Sequence, residues 1–140
     1  MKILIATSYS FYSRIEPVKK SLEEIGFRVL LPSGYGEEAP VYRTRELSEE
    51  EFVRAKQALF RKDDEHVKIS DALLVLNYDK PSSPNYIGGA VFLEMFRAYQ
   101  QGKPIYLYRS IPKNNLTDEI RGLAPIIINE DLTKIPLKNN

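Results

Sequence analysis

Apolar positions along this chain alternate between short continuous runs and helical stripes. Ile3 to Ala6 is an apolar run closed by Thr7, Ser8, Tyr9 and Ser10, the pattern of a buried strand that ends in a polar loop. Ile15, Val18, Leu22 and Ile25 then recur at spacings of three, four and three. That period predicts an amphipathic helix with Pro17 in its first turn and Gly26 as its C-terminal cap. Phe27 to Leu31 is β-prone and stops at Pro32, Ser33 and Gly34. A strand, a helix and a strand in the first third predict a parallel pair joined by a right-handed crossover. Residues 33 to 47 carry no sustained period and read as a long loop, of a length that is often functional.

Ser48, followed three residues later by Glu51, is a capping box, and it opens a second helix from Glu49 to about Val67. Asp71 to Asn77 is the strongest strand, apolar on both faces as a central parallel strand must be. A loop from Tyr78 to Gly88 leads to a third helix from Gly89 to Gln101, a strand from Pro104 to Tyr108, and a short helix from Thr117 to Arg121. Ile126 to Ile128 adds a fifth strand. The alternation predicts one domain: an α/β, doubly wound, flavodoxin- or Rossmann-like three-layer sandwich around a mainly parallel five-stranded sheet. Ligands of such sheets bind beyond the carboxyl ends of the strands, where strand order reverses. The loops at residues 7–13, 32–47 and 78–89 meet there.

Composition narrows the chemistry. At 140 residues the chain suits a single core, and 43% hydrophobic with 28% charged residues is the balance of a folded globular protein. Twenty Lys+Arg against nineteen Asp+Glu leave a net charge of +1, so no global field recruits polymeric nucleic acid or an anionic membrane. There is no cysteine, and His66 is the sole histidine. Thiol enzymes, disulfide-stapled domains and His-rich zinc sites are thereby disfavoured, and no metal or other cofactor is expected. The N-terminal apolar run is too short for a signal or membrane segment, and a cytoplasmic location is expected by default.

Two acids interrupt apolar faces. Projected at about 100° per residue, the second helix sets Phe52, Ala55, Leu59, Phe60 and Val67 on one side, with Asp63 in the middle of that stripe. The third helix is apolar nearly all round and is expected to be buried on most sides, yet it carries Glu94. Near a helix N-terminus a carboxylate tends to stay ionised, which suits both simple stabilisation, with Arg97 as a surface partner, and a nucleophile facing the crevice. Two carboxylates in one cleft would suit glycosidic chemistry. Asp64 and Glu65 fit a solvated face, and His66 lies near the edge of the stripe. Gly88 and Gly89 sit between strand and helix but lack the spacing of a dinucleotide or P-loop fingerprint, so a tight turn explains them. Tyr9, Phe11, Tyr12, Tyr35, Tyr42 and Tyr86 crowd the three loops, where aromatic rings can stack on a nucleobase.

Three segments carry a resemblance to a known family. They are Lys2 to Ser10; Asp63 followed eight residues later by Asp71 and its apolar strand; and Gly89 to Glu94, continued by Ala98 to Pro104 with Gly102, Lys103 and Pro104. Over roughly residues 1 to 128 the chain resembles the nucleoside 2-deoxyribosyltransferase superfamily, which includes 2'-deoxynucleoside 5'-monophosphate N-glycosidases. The resemblance implies that Glu94 is the nucleophile on the anomeric carbon, that Asp63 is the second site carboxylate, and that Tyr9 stacks on the base. Ser8, Ser10, Gly88 and Gly89 would hold the 5' end of the substrate. It implies a small nucleoside or nucleotide as substrate, and self-association into a homodimer or a larger homo-oligomer.

The chain also departs from the family pattern. Gly88 stands where the transferases usually carry an aspartate and the monophosphate hydrolases a serine. Leu4 replaces a tyrosine often found in the first strand, and Gly89, Ala90 and Val91 replace the usual turn. Two functions are therefore expected in competition: N-glycosidic cleavage or transfer, and a catalytically impaired nucleotide-binding or sensing module on the same fold. A third, structural reading makes the apolar third helix a subunit contact.

Overall fold

The computed structural model describes residues 1–36 and 46–138. Its sheet has five strands, β1 (Lys2–Thr7), β2 (Arg28–Leu30), β3 (Ala72–Leu76), β4 (Ile105–Leu107) and β5 (Ile126–Ile127). They run in the order β2-β1-β3-β4-β5, and every pairing is parallel. Among the described residues, four α-helices connect or follow them: α1 (Ile15–Ile25), α2 (Glu49–Ile69), α3 (Gly89–Gln100) and α4 (Thr117–Gly122). The expected doubly wound sandwich is therefore the observed one, with strand and helix ends within two residues of the predicted bounds. Among the described residues, no helix is long and apolar enough to cross a membrane.

The sheet divides the core in two by the period-two alternation of its strands. Ile3, Ile5, Ala72, Leu74 and Leu76 face α1, with Ile15, Val18 and Leu22 packed against them. Leu4, Ala6, Leu73 and Val75 face the opposite layer, with Val91, Met95, Ala98 and Ile120. Leu4, where the family tyrosine would stand, is thus a core residue, 1% exposed. Gly26 caps α1 at φ 119°, a left-handed conformation for which glycine has no Cβ penalty.

Three local expectations change. Tyr9–Arg14, read as loop, forms a 3-10 helix because Phe11 inserts into the α1-side core while its neighbours stay at the surface. The stripe on α2 is not a core stripe: Val67 is its one buried residue, and Phe52 is 39% exposed. The cause is length. Twenty-one helical residues span about 32 Å against about 17 Å for a five-residue strand. Since α2 feeds the amino end of β3, its N-terminal half overhangs the sheet's carboxyl edge. α3 is also open on one side, where Leu93, Phe96 and Tyr99 are 40%, 42% and 53% exposed; its other faces bury Val91, Glu94, Met95 and Ala98.

Lys103 ties the two helices together at their C-terminal ends. It follows Gly102, at φ 67°, directly after α3, and its ammonium donates to the carbonyls of Val67 and Lys68 in the last turn of α2 at 2.5 and 2.7 Å. A cation on the orphan carbonyls of a helix end is favoured by both hydrogen bonding and the helix dipole. Lys103→Met, which keeps the stem and removes the donors, should lower the free energy of unfolding in urea by about 1–3 kcal/mol.

Candidate active site

The chain steps from β1 to β2 on one side and then to β3 on the other, so the order reverses between β1 and β3. Their carboxyl ends are fastened to each other there: the buried hydroxyl of Thr7 donates to the Leu76 carbonyl at 2.7 Å. Thr7 also lines a cavity of ≈ 80 Å³ whose other walls come from the 3-10 helix, the turn after β2, the overhang of α2 and the start of α3.

Glu94 and Asp63 both line this cavity. Glu94 is the sixth residue of α3 and is 8% exposed, while Asp63 is half-buried on α2. Ser33, from the turn that closes β2, donates its hydroxyl to Asp63 Oδ1 at 2.7 Å. Burial pushes the Glu94 carboxyl well above the ordinary value of 4.5, and the neighbouring Asp63 charge and a hydrogen bond to Asp63 push it further, against a smaller pull from Arg97. Burial and Asp63 both favour the protonated form of Glu94. The direction is opposite to the one expected of a carboxylate held ionised by a helix N-terminus. Glu94 lies beyond the first turn of α3, where the dipole has faded, and burial decides its state. Nor is Arg97 a surface partner of Glu94. Its Nη1 is buried without a hydrogen-bond partner among the described residues, and its guanidinium lies 5.8 Å from the Phe60 ring, so it acts on Glu94 through the field.

The other predicted residues divide. Tyr9 lines the cavity with Tyr12, their ring centroids 5.1 Å apart. Ser8 and Ser10 pair with each other at 3.1 Å and do not line it, nor do Gly88, the N-cap of α3, and Gly89. Phe11 belongs to the core, Tyr35 donates to Glu16 at 3.2 Å, and Tyr42 lies outside the described residues. His66 is half-buried, its Nδ1 without a hydrogen-bond partner among the described residues. Gly88 adopts φ −82°, which any residue can take, so its lack of a side chain has a packing cause. A Cβ there would meet the Tyr86 hydroxyl at 3.1 Å.

Sequence reasoning missed Ser33 and Lys56 as cavity residues. Both signals were present. Ser33 ends β2 at the carboxyl edge, and Lys56 lies seven residues before Asp63, on the same helical face.

With the site's geometry in place, the likeness to solved structures can be set beside it. A 2-deoxyribosyltransferase from Bacillus psychrosaccharolyticus superposes with a TM-score of 0.62 at 19% identity, over 100% of this chain and 99% of that one. The CMP N-glycosidase of Clostridium botulinum gives a TM-score of 0.50 at 20% identity, over 96% and 97%. A conserved protein from Enterococcus faecalis gives 0.51 at 20% identity, over 93% and 77%. At these identities the likeness establishes the shared fold. No family model and no curated protein matches the sequence.

The Glu94 shift has a direct consequence for stability. Below pH 4.5 the folded and unfolded chains both hold this proton; above it the unfolded chain releases the proton while the folded chain keeps it. Stability from this group is therefore complete at low pH and falls as pH rises towards the folded pKa. Glu94→Gln removes the loss. In a melting series its Tm should match the parent near pH 4 and exceed it increasingly as pH rises above 4.5, by about 3 °C for each kcal/mol relieved.

Proposed function

We propose that this chain cleaves or transfers the N-glycosidic bond of a nucleoside, deoxynucleoside or corresponding 5'-monophosphate, with Glu94 as nucleophile. The observation that carries this reading is the pair of neighbouring carboxyls, Glu94 and Asp63, lining one cavity where the strand order reverses. The nucleoside chemistry of two proteins of the same fold, a deoxyribosyltransferase and a CMP N-glycosidase, supports it.

The pair provides the two functions that the reaction needs. A base leaves C1' readily only when its nitrogen is protonated, and the oxocarbenium-like carbon must meet a carboxylate. Glu94 passes its proton to Asp63, Asp63 delivers it to the departing nitrogen, and the C1'–N electron pair leaves with the base. The Glu94 carboxylate bonds to C1'. Water or a second base then attacks C1', gives its proton to Asp63, and Glu94 departs with its electrons. Ser33 holds Asp63 in place through the 2.7 Å hydrogen bond. Tyr9 and Tyr12 offer ring faces to the base, while Ser8, Ser10, Gly88 and Gly89 hold the 5' end outside the cavity. Gly88, without a side chain to contribute, favours a second reading: a nucleotide-binding or sensing module that has lost turnover.

A second copy of the chain is the proposed partner. Leu93, Phe96 and Tyr99 recur every three residues on the open side of α3. A two-fold contact would pair this stripe with itself, and a net charge of +1 opposes it little.

Incubated with a pool of ribo- and deoxynucleosides and their 5'-monophosphates, the parent should release free base detectable by chromatography. Glu94→Ala should release none while melting cooperatively. Turnover in the variant would refute the nucleophile, and thermal stabilisation by nucleotides without product would establish the binding module. Phe96→Glu should shift the sedimentation coefficient from dimer or larger to monomer; an unchanged coefficient would remove this face from the assembly.

A further inference from the structure

Arg97 is a charged side chain beside the site to which the reaction above gives no part. It stands three residues after Glu94 on α3, so the two share a face with about 4.5 Å of helix axis between them. Long helical side chains lean towards the N-terminus, which for Arg97 is the direction of Glu94. The guanidinium lies 5.8 Å from the ring centroid of Phe60, a residue of the cavity wall. That contact agrees with the lean, because Phe60 precedes Asp63 by one turn and α2 and α3 end side by side at Lys103. The Arg97 Nη1 is buried and has no hydrogen-bond partner among the described residues. A polar nitrogen shut away from water and unpaired is costly, so its place calls for a reason. Arg97 does not itself line the cavity, and a substrate bound there does not supply the missing acceptor.

The surroundings of Glu94 narrow the reason. Leu4, Ala6, Leu73 and Val75 face this layer from the sheet and carry no charge. From α2 and the 3-10 helix, the titratable side chains that share the cavity wall with Glu94 are Lys56, Asp63, Tyr9 and Tyr12. Asp63 opposes a negative charge on Glu94, and Arg97 favours one. We propose that Arg97 is a positioning residue for the reaction: it is the counter-ion held ready for the Glu94 carboxylate that appears when the glutamate gives up its proton. An arginine already bonded to a carboxylate has its charge largely spent on that partner; this one keeps its charge for Glu94. While Glu94 is an acid, the guanidinium rests near Phe60. Once Glu94 is a carboxylate, the cation is already in place, and charge arranged in advance lowers a barrier without reorganisation. Acting through the field, Arg97 leaves the carboxylate oxygens free to attack carbon. The catalytic consequence rests on the proposed N-glycosidic reading, whereas the ionisation of Glu94 can be followed without turnover.

The test titrates the Glu94 carboxyl by NMR, on protein carrying carbon-13 at glutamate Cδ, from about pH 4 to about pH 10. Glu94→Gln identifies the signal by its loss. Arg97→Met keeps an apolar stem near Phe60 and removes the charge; it should lower the ionisation constant of Glu94 by about tenfold or more, and Arg97→Lys should restore most of it. Arg97→Gln, neutral and polar, replaces Arg97→Met in the same comparison if that variant does not melt cooperatively. A constant within about twofold of the parent, or a parent Glu94 that does not ionise by about pH 10, would overturn the assignment, since a purely structural arginine changes stability and leaves this equilibrium in place. Where base is released, kcat at neutral pH should fall by a similar factor in Arg97→Met with KM within about twofold. A loss of kcat with no move in the titration overturns the assignment as well. If the parent releases no base, the N-glycosidic reading fails separately, and the titration still decides the role of Arg97.

Discussion

The carboxyl groups of Asp63 and Glu94 come together where α2 and α3 meet above the sheet, and the site is built around that contact. An ionised Glu94 with 8% exposure beside Asp63 would face both desolvation and like-charge repulsion. The protonated form of Glu94 avoids both costs, which is why burial and Asp63 raise its pKa. Such a contact is only as good as the positions of the two helices that carry it. They are held from below by Lys103, which leaves the end of α3 and closes the end of α2. They are held at the side by Ser33, which reaches Asp63 from the turn after β2. The Gly102, Lys103 and Pro104 segment, though it does not line the cavity, thereby joins the two helices that carry its acids.

Topology decides why the pair stands over a cavity and not within the core. Right-handed crossovers to β2 and back past β1 to β3 put α1 on one face of the sheet and α2 and α3 on the other. At the reversal Thr7 lines a cavity beside the start of α3. α2 is too long for the sheet it covers, and its overhang walls the cavity. The cavity measures ≈ 80 Å³.

Periodicity carried most of the fold. The spacing of Ile15, Val18, Leu22 and Ile25, the capping box at Ser48, and the unbroken apolar stretch in β3 are local signals of local structure, and each element formed where its pattern lies. The departures came from tertiary context. Helical projection places Phe52 and Val67 on one stripe but cannot tell that the sheet ends beneath only one of them. The acids were legible for a related reason: Asp63 and Glu94 break apolar faces, and an acid in such a place must be paired or functional. The shift of Glu94 was not legible, because it depends on its burial and on a neighbour, Asp63, carried by another helix. Ser33 was hidden in the same way, its partner being Asp63 across the cleft.

Gly88 acquires a different meaning in three dimensions. As a departure from a family pattern it suggests simple loss. In place, its backbone needs no glycine, and what excludes a side chain is the Tyr86 ring, with the hydroxyl 3.1 Å from where a Cβ would stand. Tyr86 is itself held, its amide donating to the Tyr78 carbonyl at 2.8 Å and its ring lying 3.9 Å from the Lys80 ammonium. Gly88 and Tyr86 are therefore one packing unit, and a side chain at 88 requires the ring to move. A residue lost by drift leaves a void; here the space is filled, by a phenol whose hydroxyl sits at the N-cap of the helix that carries Glu94.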